Sequence, residues 1–299
     1  MSMLAKSIEC LRVIVAIQCV GAAGKYLLSA REQESSLYGL LFFDWGWDES
    51  TAQSLDDIGA WLCLLASILL GLIACFDLLG SRRSSGGLPP HWLTWLEFPI
   101  LIFVAIWFLT LAWAEMMRGG LYTEWAIAEQ AVRFTTPLAL AIGLIFREQV
   151  NTKRLSNVIS GILQISVAAT FAVHGLKAIS GYGPFVDLIL LSDSLPLVGS
   201  MSQALAERLL WAIGWIDVGL ALLIVGVRWR SVALYMAFWG FLTVASRVVA
   251  LGAEAWPESL IRIANGGAPL GLFFLFQQLK QVKMTESECS SEVCEESDI

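Results

Sequence analysis

The sequence predicts an all-α protein that crosses a membrane eight times and is built from two four-helix units in tandem. First, 57% of the 299 residues are hydrophobic and only 15% are charged. A soluble domain carries about a quarter charged residues and cannot bury so much apolar surface. Second, the apolar residues fall into eight runs, each close to the ~20 residues that a bilayer-spanning helix needs. Third, the last four runs resemble the first four.

The eight predicted spans follow the chain at intervals that leave two long and five short connections. They lie near residues 10–29, 58–79, 95–115, 125–146, 158–179, 208–226, 232–251 and 260–280. The first run is the least regular, because Arg12 and Lys25 sit near its ends. Residues 1–25 have the length of a signal peptide, and VGAAG resembles a cleavage site. We expect this run to be retained as a span, since Glu9 does not suit a signal sequence and the first unit needs its first helix.

The charges of the connections predict the orientation. The basic residues of alternate connections are Arg82, Arg83, Arg147, Lys153, Arg154, Arg228, Arg230, Lys280 and Lys283. The other connections are acidic, with only Arg31 and Arg118 as clearly basic residues. Because positive loops stay in the cytoplasm, both termini are predicted to be cytoplasmic, in agreement with an even number of spans. The predicted location is the cell (inner) membrane, with the lipid bilayer as the main partner.

Both long connections, residues 30–57 and 181–207, are predicted to face outward. LFFDWGWDES in the first is aromatic and acidic, as in loops that lie at a membrane surface. The tail from Met284 has six acids and no bases, which account for most of the net charge of −7. Such a tail is expected to be disordered in the cytoplasm. No basic stripe with interleaved aromatic residues occurs, so a nucleic-acid partner is not expected.

Four short stretches recur in the same order and predict an internal duplication. AAGKYLLSA resembles HGLKAISG, and IGAWLCLLASILLG resembles IGWIDVGLALLIVG. FLT occurs at Phe108 and Phe241, and RFTTPLAL around Pro137 resembles IANGGAPLGL around Pro269. With matching long connections, this order favours a parallel duplication whose twofold axis runs along the membrane normal. The predicted parts are residues 1–150, residues 151–283 and the tail 284–299.

The two units differ in their polar residues. Lys25 corresponds to Lys177, whereas His174, Asp217 and Arg247 correspond to alanine or leucine in the first unit. An acid at the centre of a span costs ~2.5–3.5 kcal/mol and therefore needs a partner. We expect Asp217 to pair with His174 and Arg247. A site is thus predicted in the second unit, or between the units on that side.

The predicted site is a positive pocket that opens outward and suits a quinone carbonyl or a small anion. His174 and Asp217 are its candidate catalytic residues, because they could exchange protons with a ligand. Its candidate ligand-binding residues are the basic side chains Lys25, Arg133, Lys177, Arg247 and Arg262. Structural interpretations stay open beside this one. Asp217 could form an ion pair that locks helix packing, and His174 with Lys177 could reach up to the membrane surface.

His174, Gly175 and Lys177 at the end of an apolar run, followed by an outward connection and an acid in the next run, also carry a family resemblance. The second unit resembles the DoxX-like family, which includes the small membrane subunit of thiosulfate:quinone oxidoreductase and MauE-type proteins. The resemblance covers residues 155–280, with Asp217 in IDVGLALL where the family has Glu in an "ELLGG"-like stretch. It extends more weakly to the first unit, which lacks both the His and the acid.

The resemblance implies an accessory or membrane-anchoring component of a quinone- or thiol-linked redox system. A quinone is the implied cofactor, and a redox protein is the implied partner. The family is typically a single four-helix unit, whereas this chain has two, and it lacks a CxxC pair. Two alternatives remain. Pro137 and Pro269 could mark broken helices that line a transport site for a small solute or protons. The protein could also be a structural membrane partner without catalysis.

The cysteines and histidines give weaker signals. The cysteines within spans, which are Cys10, Cys19, Cys63 and Cys75, are interpreted as small apolar residues. A disulfide between Cys19 and Cys63 is geometrically feasible. Cys289 and Cys294 in the cytoplasmic tail are expected to be reduced thiols. No metal site is expected, because His91 and His174 are predicted on opposite sides of the membrane.

Overall fold

The structure, a computed structural model, is all-helical, as the sequence predicts. It describes residues 2–28, 35–81, 91–146, 149–192 and 201–296, and within these ranges no strand occurs. Among the residues used to predict orientation, Arg31, Arg82, Arg83 and Arg147 lie outside the described part. The side chains of Cys289, Cys294 and His91 are not described either.

Twelve α-helices form the described chain. In order they are α1 (Met3–Ala23), α2 (Ser36–Gly39), α3 (Glu49–Ser81), α4 (His91–Arg118), α5 (Ala126–Glu129), α6 (Ala131–Phe146), α7 (Thr152–Ile179), α8 (Gly183–Leu191), α9 (Gln203–Gly226), α10 (Arg230–Leu251), α11 (Trp256–Leu260) and α12 (Ala264–Glu296). A π-helical turn, Gly24–Leu28, extends α1. Each of the eight predicted runs falls on one of these helices or on a broken pair. The fourth run is α5 with α6, and the eighth is α11 with α12.

The described helices fit an integral membrane protein. Those long and apolar enough to cross a bilayer are Glu49–Phe76, Thr94–Arg118, Thr152–Ile179, Gln203–Gly226 and Arg230–Leu251. The pair Ala253–Leu260 and Ala264–Met284, bent by 46°, makes a sixth if it is one span. Length and apolarity do not by themselves identify α1 or α6 as membrane spans. Helix α1 carries Lys6, Glu9 and Arg12, and α6 has only 16 residues. Eight spans therefore remain a prediction.

Helix α12 continues beyond the last predicted span, into the acidic tail, as far as Glu296. Neither glycine nor proline follows Gly271. Extending an existing helix adds one hydrogen bond for each residue that becomes ordered, whereas starting a helix is costly. The packed first half of α12 therefore acts as the nucleus for the polar second half.

Four helices occupy the centre of the bundle, and each carries one outer helix. The central helices are α1, α6, α7 and α12. The outer helix α3 packs on α1, α4 packs on α6, α9 packs on α7, and α10 packs on α12. Across the middle, α1 packs on α12, and α6 packs on α7. Neighbouring outer helices touch each other little: α3 meets α4, and α9 meets α10, over only a few residues.

The outer helices turn apolar side chains away from the protein. Trp61 on α3, Ile106 on α4, Leu222 on α9 and Phe238 on α10 are each more than half exposed. A soluble monomer rarely exposes so broad an apolar band. In a bilayer the same band faces lipid tails, while the helices satisfy their own backbone groups. The exposed faces therefore indicate a lipid environment.

Arg12, near the start of the first predicted run, is buried with two carboxylates. It is 1% exposed and forms an ion pair with Glu97 of α4, at 3.1 Å between Nη2 and Oε1, where Glu97 is also 1% exposed. Its Nη1 also contacts Glu9, one turn earlier on α1. Because a buried charge is costly unless it is paired, α1 tolerates an arginine inside the bundle through its contact with α4.

Replacing Arg12 with Met should lower the free energy of unfolding by about 3–5 kcal/mol, because it removes the cation that faces buried Glu97. The measurement is thermal unfolding in a fixed detergent. The double variant R12M/E97M should recover much of the loss, and R154M, at an exposed arginine on α7, should melt like the native protein. A native-like melting temperature for R12M would show that the pair does not stabilise the fold.

Candidate ligand-binding site

A cavity of about 260 Å³ lies among α7, α8, α9, α10 and the start of α12. Its walls are mainly apolar, and they include Phe171, Phe185, Leu188, Leu210, Ile213 and Leu242. A smaller set of polar side chains lines the same space, namely His174, Asp217, Trp239, Thr243, Ser246, Arg247, Arg262 and Asn265. An apolar cavity with a few convergent polar groups is typical of a small-molecule site.

The structure brings four of the seven predicted site residues to this cavity. They come from four different segments: His174 from α7, Asp217 from α9, Arg247 from α10, and Arg262 from the turn between α11 and α12. The other three, Lys25, Lys177 and Arg133, are absent from its described lining. They lie beside it in a cluster of charges that joins the two halves of the chain.

Close backbone contacts position the walls of the cavity. A Cβ atom added at Gly175 would lie 2.7 Å from the carbonyl oxygen of Gly214, and one added at Gly214 would lie 2.6 Å from that of Gly175. Helices α7 and α9 therefore meet backbone to backbone, as glycine allows in membrane bundles. A Cβ at Gly240 would lie 2.3 Å from the carbonyl oxygen of Asn265, which brings α10 equally close to α12. The glycine after His174 thus has a packing role.

Asp217 does not pair with His174 or Arg247, so this part of the prediction is wrong. Asp217 is only 6% exposed, and its Oδ1 has no hydrogen-bond partner in the described chain. The indole of Trp239 lies beside the carboxylate and interacts with it, but Trp239 Nε1 also has no partner with hydrogen-bond geometry among the described residues. The expected cations bind two other carboxylates instead.

Glu129, at the end of α5, contacts Lys177 and His174. Lys177 Nζ donates to Glu129 Oε2 at 2.5 Å, and His174 Nε2 lies 3.5 Å from Glu129 Oε1. Glu129 was not among the predicted site residues. Its position inside the fourth apolar run could have indicated a buried ion pair, because an acid there is as costly as Asp217 in the sixth run.

Glu258, in α11, contacts Lys25, Arg247 and Arg262. Lys25 Nζ lies 3.2 Å from Glu258 Oε1, while Arg262 Nη1 and Arg247 Nη1 lie 3.5 and 3.9 Å from Glu258 Oε2. Arg262 Nη1 also donates to the carbonyl oxygen of Glu258 at 2.9 Å. From the sequence, Glu258 counted only as one of the acids of an outward connection. In the structure α11 folds into the bundle, where the neighbouring Pro257 and Ser259 are buried.

Arg133 completes the cluster on the side of the first half. Its Nη1 donates to Gln130 Oε1 at 2.8 Å, and Gln130 Nε2 donates to Glu115 Oε2 at 2.5 Å. Its Nε has no hydrogen-bond partner among the described residues. The cluster thus combines five cations with three carboxylates: Lys25, Arg133, Lys177, Arg247 and Arg262 with Glu115, Glu129 and Glu258. The excess of positive charge would attract an anion or an electron-rich oxygen.

The cysteines of the spans are free thiols. Cys19 and Cys63 are both fully buried and lie against each other between α1 and α3, without a disulfide. They pack there as small apolar residues. In the described part of the chain, no three His, Cys, Asp or Glu side chains converge so that they could hold a metal ion.

Comparison with protein-family models, curated proteins and solved structures found no match. The resemblance to the DoxX-like family therefore remains a prediction from the sequence.

Replacing Lys177 with Met should lower the free energy of unfolding by about 1–3 kcal/mol, because Glu129 would keep only its longer contact with His174. The double variant K177M/E129Q should cost less than the sum of the two single variants, as measured by melting in detergent. K280M, at an exposed lysine on α12, is the matched control. Additive effects of K177M and E129Q would argue against a coupled pair.

Proposed function

We propose that this integral membrane protein binds a quinone-like molecule in the cavity among α7, α8, α9 and α10. It would serve as an accessory or anchoring component of a quinone- or thiol-linked redox system, as the DoxX-like resemblance implies. The observation that carries the proposal is the convergence of His174, Asp217, Arg247 and Arg262 on an otherwise apolar cavity. The proposal includes eight spans, the cell membrane and cytoplasmic termini, for which the alternating positive connections are the support.

The helix packing supports two parallel four-helix units. In each proposed unit the second helix packs on the first, and the third packs on the fourth. Lys25 and Lys177, which correspond in sequence, each pair with an acid before the last long helix of the other unit, Glu258 and Glu129. A twofold axis along the membrane normal would relate these two pairs.

A lipid-soluble ligand suits the position of the cavity. Leu242 and Thr243 line it and are also exposed on α10. Since α9 and α10 touch little, a ligand could enter between them from the bilayer. A quinone ring matches apolar walls such as Phe171 and Phe185. Its carbonyl oxygens accept hydrogen bonds, which the guanidinium groups of the site can donate.

The polar groups could also serve proton exchange with a bound quinone. His174 lies at the cavity with Glu129 beside it, and an imidazole can both donate and accept a proton. Asp217 provides a carboxylate deeper along α9. Electrons would come from, or pass to, a partner redox protein.

Purified protein in mild detergent should bind tetramethylbenzoquinone, detected by quenching of tryptophan emission because Trp239 lines the cavity. His174→Ala and Arg247→Ala should each weaken binding about tenfold to a hundredfold, the loss of one hydrogen bond to a charged group. Leu222→Ala, on the outer face of α9, should bind like the native protein. Mass spectrometry of lipids that co-purify is an independent readout. Absence of quinone both from titration and from the extract would overturn the proposal.

A transporter is the second candidate, and the broken helices favour it. Residues 261–263 separate α11 from α12 at the 46° bend, and Arg262 and Asn265 beside it line the cavity. Gln130 interrupts the corresponding pair, α5 and α6. Broken helices that line a cavity are common in transport sites.

If the protein is a transporter, proteoliposomes should accumulate radiolabelled benzoate when the outside is acidic, and Asp217→Asn should abolish the dependence on the gradient. Asp187→Asn makes the same chemical change at an exposed position on α8 and should keep it. Uptake no faster than in protein-free vesicles would exclude this function for benzoate and favour quinone binding.

A further inference from the structure

The cavity wall includes an acceptor and a donor that both lack a partner with hydrogen-bond geometry in the described chain. Asp217 Oδ1 is buried and accepts no hydrogen bond, and Trp239 Nε1 is buried and donates none. The two side chains are neighbours that interact electrostatically, but neither of these two atoms has a partner with hydrogen-bond geometry among the described residues. Each such buried group is destabilising if it stays unsatisfied. A single ligand atom that both donates and accepts would satisfy both.

The other polar side chains of the cavity have a different chemistry. Arg247 lies 3.9 Å from Glu258, and Arg262 and His174 line the same cavity. Guanidinium groups are donors only, so Arg247 and Arg262 suit a ligand oxygen that accepts. The rest of the lining is mainly apolar. The cavity therefore offers different hydrogen-bonding chemistry to different oxygens of one ligand.

We infer that the site selects the reduced, hydroquinone form of its ligand, a conclusion that rests on the proposed quinone function. A hydroxyl group donates to Asp217 and at the same time accepts from Trp239. A quinone carbonyl only accepts, so it would place its lone pairs against the carboxylate oxygen. The hydroxyl at the opposite end of a hydroquinone can still accept from Arg247. Asp217 is thus the residue that determines which redox form binds.

The selectivity has a thermodynamic consequence. If the reduced form binds tenfold more tightly than the oxidised form, the midpoint potential of the bound two-electron couple rises by about 30 mV. The bound quinone would then be easier to reduce than the free quinone in the bilayer. The protein would act as a trap for the reduced form, beside the partner that exchanges electrons with it.

The test compares tetramethylhydroquinone with tetramethylbenzoquinone in anaerobic titrations of the full-length protein. Native protein should bind the hydroquinone at least tenfold more tightly. Asp217→Asn should reduce this preference to less than threefold, mainly by improving quinone binding, because an amide can donate to a carbonyl. Trp239→Phe should weaken hydroquinone binding about tenfold. Asp187→Asn should keep the native ratio.

The outcomes separate the inference from the function on which it rests. Equal binding of both forms by native protein would overturn the selectivity and leave quinone binding intact. An unchanged ratio in D217N would also overturn the role of Asp217. Binding of neither form would overturn the proposed function itself. The native ratio needs no variant, so the inference stays testable even if D217N or W239F fails to fold.

Discussion

Each buried charge in this bundle needs an opposite charge beside it, and two such pairs hold the halves of the chain together. Lys25 pairs with Glu258, and Lys177 pairs with Glu129, so each half of the chain supplies one lysine and one acid. Water cannot solvate these groups fully, and the cost of burial is offset only if the partners meet. Both acids lie in short helices, α5 and α11, that precede the long helices α6 and α12. The charges thereby hold the two breaks in the bundle.

This pairing also determines what is left for a ligand. Glu129 and Glu258 bind His174, Lys177, Arg247 and Arg262 on one side of the cavity. Asp217 is left in the apolar wall, next to Trp239, with an oxygen that has no partner in the described chain. The cations would attract an electron-rich group, and the buried carboxylate oxygen would accept from a donor. The residues that pair charges inside the bundle are thus also the ones that a ligand would meet.

The helical fold could be predicted from the sequence because apolar runs of bilayer length have few other structures available. His174, Asp217, Arg247 and Arg262 were candidate site residues from the sequence because they are polar side chains in apolar runs of the second half, and all four line the cavity. Their ion-pair partners could not be predicted in the same way. Glu129 and Glu258 lie in the short helices α5 and α11, and the local sequence does not determine whether these helices turn into the bundle. Glu258 resembles a loop acid until α11 turns inward. The number of spans cannot be read from length and apolarity alone, because a helix inside the bundle can carry paired charges, as α1 does, or be short, as α6 is.

The exchange of partners between the halves has a consequence for how the chain can assemble. Neither half contains the acid that its own lysine needs, so each is electrostatically incomplete alone. A chain that ended after α6 would leave Lys25 without Glu258, and the segment from α7 onwards would leave Lys177 without Glu129. Each half should therefore fold stably only in the presence of the other.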